Sequence, residues 1–142
     1  MTKRDLLLAA LAAGAGAEHS PVQIQKLIFL VERNVAADLG GASFAFVPYD
    51  YGPFDSSIYT ELQALEFAGM ANSETTDRGW KKYKLTTYGQ AQGDTYLATM
   101  PGRAAQYIRD VSQFVRRLSF AELVSSVYKA YPDMKVNSVF KD

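Results

Sequence analysis

Cysteine is absent from the 142-residue chain, which excludes disulfides, thiolate metal sites and cysteine nucleophiles. Histidine occurs once, as His19, and a single imidazole cannot build a metal site by itself. Net charge is missing as well: fifteen basic and fifteen acidic side chains cancel, so the chain as a whole is no polycation suited to coating nucleic acid. No apolar run reaches the roughly 18 residues needed to cross a bilayer. Lys3 and Arg4 followed by LLLAALAAGAGA imitate a secretory leader, with Ala15-Gly16-Ala17 in the place of a cleavage site. Asp5 stands where the apolar core of such a leader begins, so the segment reads as an ordinary helix and the expected location is the cytoplasm.

A catalytic constellation is also lacking. The sequence has no serine-histidine pairing with an orienting acid, no phosphate-cradling glycine loop and no cluster of metal ligands. The expectation is a protein that is not an enzyme, with no cofactor and no metal.

What is present is enough apolar material for one packed core, at 48% hydrophobic and 13% aromatic content. Charge is unevenly placed. Residues 1–70 carry four basic and eight acidic side chains, and residues 71–142 carry eleven and seven, so the C-terminal half is the electropositive one.

The order of elements follows from caps, periodicity and turn residues. Thr2 caps a helix from Lys3 to about Ala13, ended by Gly14 and Gly16. Ser20-Pro21 opens a second, whose apolar stripe from Val22 to Val31 runs toward Gly40-Gly41 and marks it as a central core helix; Lys26 and Glu32 read there as ordinary surface residues. His19 reads as a surface residue too. Phe44, Phe46 and Tyr49 alternate in a short strand that ends at the Gly52-Pro53 turn. Asp55 or Ser56 then caps a helix that runs to Gly69, with Ile58, Leu62, Leu65 and Phe67 or Ala68 facing inward.

Residues 71–85 predict a hairpin, with its turn in NSETTDRGW and Lys82-Tyr83-Lys84-Leu85 returning; Trp80 reads as its anchor against the body. Thr86 or Thr87 caps the next helix, Met100-Pro101-Gly102 breaks the chain, and a helix over 103–118 is followed by one capped by Ser119. Arg103, Arg109, Arg116 and Arg117 share the polar face of the first of these, read as either a solvated surface or a functional patch. The fold class is thus mainly α with a small β-hairpin (α+β): a winged helix-turn-helix core over 1–100 and a C-terminal helical extension over 101–142, packed on the core or dimerising it, within one domain overall.

Between Asp55 and Gly89 the run SSIYTELQALEFAGM, a polar hairpin, KKYKLT and Gly89 resemble the helix-wing signature of PadR-like and MarR-like winged helices. PVQIQKLIFLVE followed by FVPYDYGPFDSSIYTEL is similar to the "LQKLLY … YGP … L" pattern of the YwgA-like proteins and of the Panacea (SocA-like) antitoxin domain. Together the two resemblances cover residues 20–90.

Two functions follow. The first is a winged-helix DNA-binding regulator, of a toxin-antitoxin or phage-related system, in which Ser56, Ser57, Tyr59, Thr60 and Gln63 meet the major groove of double-stranded DNA and Arg78, Lys81 and Lys82 hold the adjacent backbone. The alternative is a non-enzymatic protein-protein interaction module, as the antitoxin resemblance implies, that displays Tyr49, Tyr51 and Phe54 to a protein partner such as a toxin. The 55–69 helix carries Asp55, Glu61 and Glu66 and no Lys or Arg, a poor endowment for reading DNA. The winged-helix signature nevertheless tips the reading from sequence toward DNA. A homodimer through the C-terminal helices is expected, and no membrane partner.

Overall fold

The computed structural model describes residues 1–41 and 43–140. Among these described residues six α-helices run in the order α1 (Lys3–Ala12), α2 (Pro21–Val35), α3 (Ser57–Phe67), α4 (Thr87–Thr99), α5 (Gly102–Arg117) and α6 (Phe120–Ala130). Two antiparallel hairpins interrupt them: β1 (Val47–Tyr49) with β2 (Gly52–Phe54), and β3 (Ala71–Thr75) with β4 (Lys81–Leu85). The fold is mainly α with small β-hairpins. Among the described residues, no helix is long and apolar enough to cross a membrane.

Local chemistry sets the helix starts. Thr2 with Asp5, Ser20 with Gln23 and Ser119 with Glu122 each form a reciprocal capping box, and Thr86 Oγ1 accepts from the Gly89 amide at 3.1 Å. α1 is buried along seven consecutive residues, Leu6 to Ala12, and shares the centre of the core with α2. α4 lies against α1 so closely that a Cβ at Gly93 would collide with the Ala12 methyl and the Leu8 carbonyl. α5 packs on α2 through Ala104, Ile108, Val111 and Val115. The last two residues of the extension expected over 101–142 lie outside the described residues.

The predicted hairpin at 71–85 is present, in a register that pairs Ser73 with Tyr83 and Glu74 with Lys82. His19 adds to it. Its amide and carbonyl exchange two 2.9 Å hydrogen bonds with Tyr83, extending β4 on its other side by one residue. His19 is 1% exposed, so the expectation of a surface histidine is overturned by this pairing with the hairpin.

Three further expectations are corrected. Phe67 is 97% exposed and Ala68 is exposed, because the inward stripe of α3 ends at Leu65 before the Gly69 turn. The helix expected to reach Gly40 stops at Val35 and continues as a 3₁₀ turn, Ala36–Leu39. The strand expected from Phe44 begins only at Val47, since the amides of residues 43–45 are taken by side chains rather than by a partner strand. The Glu32 carboxylate accepts from Ser43 and Phe44, and Asp55 accepts from Ala45 at 2.7 Å.

The tail after α6 returns to the β1–β2 turn. Val139 donates its amide to the Asp50 carbonyl at 2.9 Å, Asn137 donates to Pro48, and the Phe140 ring meets Phe120 and Tyr128 at centroid distances of 6.0 and 6.4 Å.

Candidate functional site

The segment YDYGPFD owes its shape to two neighbouring polar residues of α2. The Gln25 side-chain amide holds the Asp55 backbone at both ends, donating to its carbonyl at 3.0 Å and accepting from its amide at 2.9 Å. One residue on, the Lys26 ammonium donates to the Tyr51 carbonyl at 2.5 Å. Gly52, at φ +111°, lets the backbone pass above this lysine: a Cβ there would lie 3.5 Å from Lys26 Nζ and 3.3 Å from the Tyr128 ring. Asp55 finishes the construction, because its carboxylate receives both the amide and the hydroxyl of Ser57 at 2.8 and 2.7 Å. The capping of α3 expected from Asp55 or Ser56 is thus carried by Asp55, and Ser56 makes no side-chain cap.

Burial therefore reaches polar groups that look like helix surface in the sequence. Lys26 is 2% exposed and Glu32 7%, which overturns their reading as ordinary surface residues: the 43–55 segment covers them. Loss of solvent lowers the Lys26 ammonium to about 8. Burial pushes the Glu32 carboxyl above its usual range, against the bonds from Ser43 and Phe44. Burial pushes Asp55 the same way, but there the hydrogen bonds from Ser57 and Ala45 prevail and hold it low.

Aromatic side chains stand around this polar base. Tyr49 is 51% exposed and stacks on Phe54 at 4.7 Å, and Phe54 leans on Tyr59 at 6.0 Å. Tyr51 is 42% exposed and meets Phe120 edge-on at 5.1 Å. Between them and the first turn of α2 opens a cleft of about 190 Å³, lined by Val22, Lys26, Tyr49, Phe54 and Tyr59 among others. Pro21 and Tyr59 also line a second groove, of about 310 Å³, that continues past Gln63 and Glu66 to Trp80 and Lys81. Comparison with known proteins matches no family model and no curated protein to this chain.

The structure brings the expected partner residues Tyr49, Tyr51 and Phe54 onto one surface and joins Tyr59, Gln63 and Lys81 to it. The remaining nucleic-acid candidates divide between α3 and the hairpin. Ser56 and Thr60 are exposed, at the i, i+4, i+7 spacing that puts them on one face with Gln63, while Ser57 is tied down by Asp55 and accepts a bond from Lys3 at 3.3 Å. Glu61 of α3 pairs with Arg4 at 3.0 Å. Arg78 lies over the Trp80 ring at 6.0 Å, and Lys82 stands opposite Glu74 in the hairpin register. Trp80 is 45% exposed, so its expected role as an anchor gives way to a place on the groove wall. The arginines of α5 are dispersed too: Arg103 pairs with Asp38, Arg116 bonds Ser112 and Arg117 lies over Phe114.

Sequence reasoning missed Gln25, Lys26 and Glu32. The available signal was the density of apolar neighbours in PVQIQKLIFLVE. A helix buried at six consecutive positions, Ile24 to Phe29, has no side left for solvent, and any polar residue within it needs a partner.

Proposed function

We propose that the protein is a non-enzymatic protein-binding module whose contact surface is the aromatic strip from Tyr51 through Tyr49, Phe54 and Tyr59 to Trp80. The observation that carries this reading is that Tyr49 and Tyr51 are half open to solvent on a turn whose backbone is fixed from beneath by Gln25 and Lys26. Pre-ordered aromatic rings beside a cleft are the usual anchors of protein interfaces, since they contribute large contact area and lose little rotamer freedom on binding. The exposed face of α3 supports the same reading, with Thr60, Gln63 and a fully presented Phe67 and no basic side chain. A toxin-like protein, the partner implied by the antitoxin resemblance, is the class to test first.

The test is to place a photo-crosslinking phenylalanine analogue at 49 or 51, with Lys84 as the control position on the hairpin. A partner crosslinked from the turn and not from 84, whose affinity as a purified protein falls at least about tenfold when Tyr49 and Tyr51 are both changed to serine, supports the reading. Equal crosslinking at all three positions, or unchanged affinity, overturns it.

A second reading, DNA binding by the winged-helix surface, draws on one observation: Arg78, Lys81, Lys82 and Lys84 are all exposed on the hairpin. Glu74 opposite Lys82 and the absence of basic residues on α3 weigh against it.

A further inference from the structure

Lys26 does more than support the turn. An ammonium has three N–H donors, and among the described residues Tyr51 is the acceptor that the side chain meets. No carboxylate of the described residues lies within ion-pair distance of it, although it is 2% exposed. A buried cation with donors to spare lines a cleft whose other walls are mainly aromatic and aliphatic. The first turn of α2 forms one of those walls, so the positive end of that helix dipole bears on the same space.

The size and the two-part character of the cleft define an occupant. At about 190 Å³ it falls below the roughly 300 Å³ lower end of small-molecule pockets and has room for one residue-sized group. That group must bring a negative charge and an apolar body together. The last residue of a polypeptide does so, because its carboxylate and its side chain share one α-carbon; an internal Asp or Glu brings the charge without the apolar body. Resting on the protein-binding reading above, we propose that this cleft captures the C-terminal residue of the partner polypeptide. Its carboxylate is received by the Lys26 ammonium, and its apolar side chain lies among Tyr49, Phe54 and Tyr59. Asp50, the acidic residue that lines the cleft, limits the affinity by charge repulsion and favours a terminus with one carboxylate over one with two.

Three small probes separate the alternatives by NMR titration of the full chain: N-acetylphenylalanine for a chain end, its carboxamide for the same body without charge, and the α-carboxamide of N-acetylaspartic acid, with its side-chain carboxylate free, for a side-chain carboxylate without the ring. The expected result is saturable shifts at Lys26, Tyr49 and Tyr59 with the first probe, and binding at least about tenfold weaker with the other two, the scale of one charged hydrogen-bonded contact. Lys26→Met should abolish the difference between acid and amide, and Asp50→Asn should tighten binding of the acid. Because Lys26→Met also removes the support of the turn, the Lys26 ammonium is titrated in the unaltered protein as well, where bound acid must move its midpoint to higher pH. Equal binding of acid and amide, equal binding of the aspartate probe, no binding of any probe, or an unmoved midpoint each overturn the proposal. Failure here leaves the crosslinking result at 49 and 51 standing. Loss of that result with the acid probe still bound removes the protein-binding reading instead.

Discussion

Gln25 grips the backbone of Asp55 with both ends of its amide, at 3.0 and 2.9 Å, thirty residues away in sequence. This pair of bonds, 4% exposed at Gln25, fixes where the β1–β2 hairpin stops and α3 begins. Removing the amide leaves the buried Asp55 N–H without its partner, while the Asp55 carbonyl keeps the bond from the Ile58 amide at 3.2 Å. Gln25→Ala is therefore expected to destabilise the fold by about 1–3 kcal/mol in urea denaturation, from the cost of one buried unsatisfied group. A loss under about 0.5 kcal/mol would place the control of the turn elsewhere.

The contact between α1 and α4 gives a matched pair of glycine substitutions. Gly93→Ala gains the helix preference of alanine, about 1 kcal/mol, but forces a methyl against Ala12 and Leu8, an overpacking cost of about 1–3 kcal/mol. Net destabilisation is expected. Gly102→Ala at the start of α5 meets nothing within 4 Å and should be neutral or stabilising by up to about 1 kcal/mol. Thermal melts should therefore show a lower midpoint for Gly93→Ala and an unchanged or higher one for Gly102→Ala, and a Gly93→Ala midpoint no lower than that of the unaltered protein would contradict the close helix approach.

Acid should loosen the hairpin through His19. Burial, with the nearby Arg116 charge adding to it, lowers this imidazole from 6.5 to about 4 in the folded protein, and its Nε2 is buried without a hydrogen-bond partner among the described residues. The folded value lies below the unfolded one, so between pH 6.5 and 4 the unfolded chain binds more protons. Stability should fall as pH drops through that window, by on the order of 3 kcal/mol in total. Asp55, held low in the folded protein, adds acid lability of the same sign at lower pH. Denaturation of the unaltered protein and His19→Gln at pH 7, 5 and 4 isolates the histidine, and parallel pH curves would refute its role.

Duplex binding has its own signature in fluorescence anisotropy. We expect no duplex, including genomic fragments and the gene's own promoter, to bind more tightly than ~10⁻⁴ M at physiological salt, the weak end of non-specific affinity. Binding at low salt through Arg78, Lys81 and Lys82 should show a log-log salt slope near −3, flattened by about two when both lysines become alanine. Were a sequence-selective complex to form, Thr60→Ala or Gln63→Ala would reduce its discrimination between sequences and leave the slope nearly unchanged. A tighter, sequence-selective complex would restore DNA as the function.

The 71–85 hairpin and the helix starts were legible because their signals are local: caps at Thr2, Ser20, Thr86 and Ser119, and the alternation around Tyr83. The β1–β2 hairpin was not, since three-residue strands with Pro48 opposite Pro53 offer neither periodicity nor a full ladder. Burial of His19, Lys26 and Glu32 was hidden for a different reason. Each is covered by a segment remote in sequence, and residue type alone predicts the opposite. The candidate partner tyrosines were found from the aromatic turn, whereas the lysine beneath them came only from the packing.

The paired bonds between His19 and Tyr83 have one more effect, on how the molecule can assemble. A hairpin ordinarily leaves two raw edges, each a template for a foreign strand. Here the outer edge of β4 is capped at its centre by His19, so strand addition, whether by a binding partner or during aggregation, is directed to the outer edge of β3, from Ala71 to Thr75.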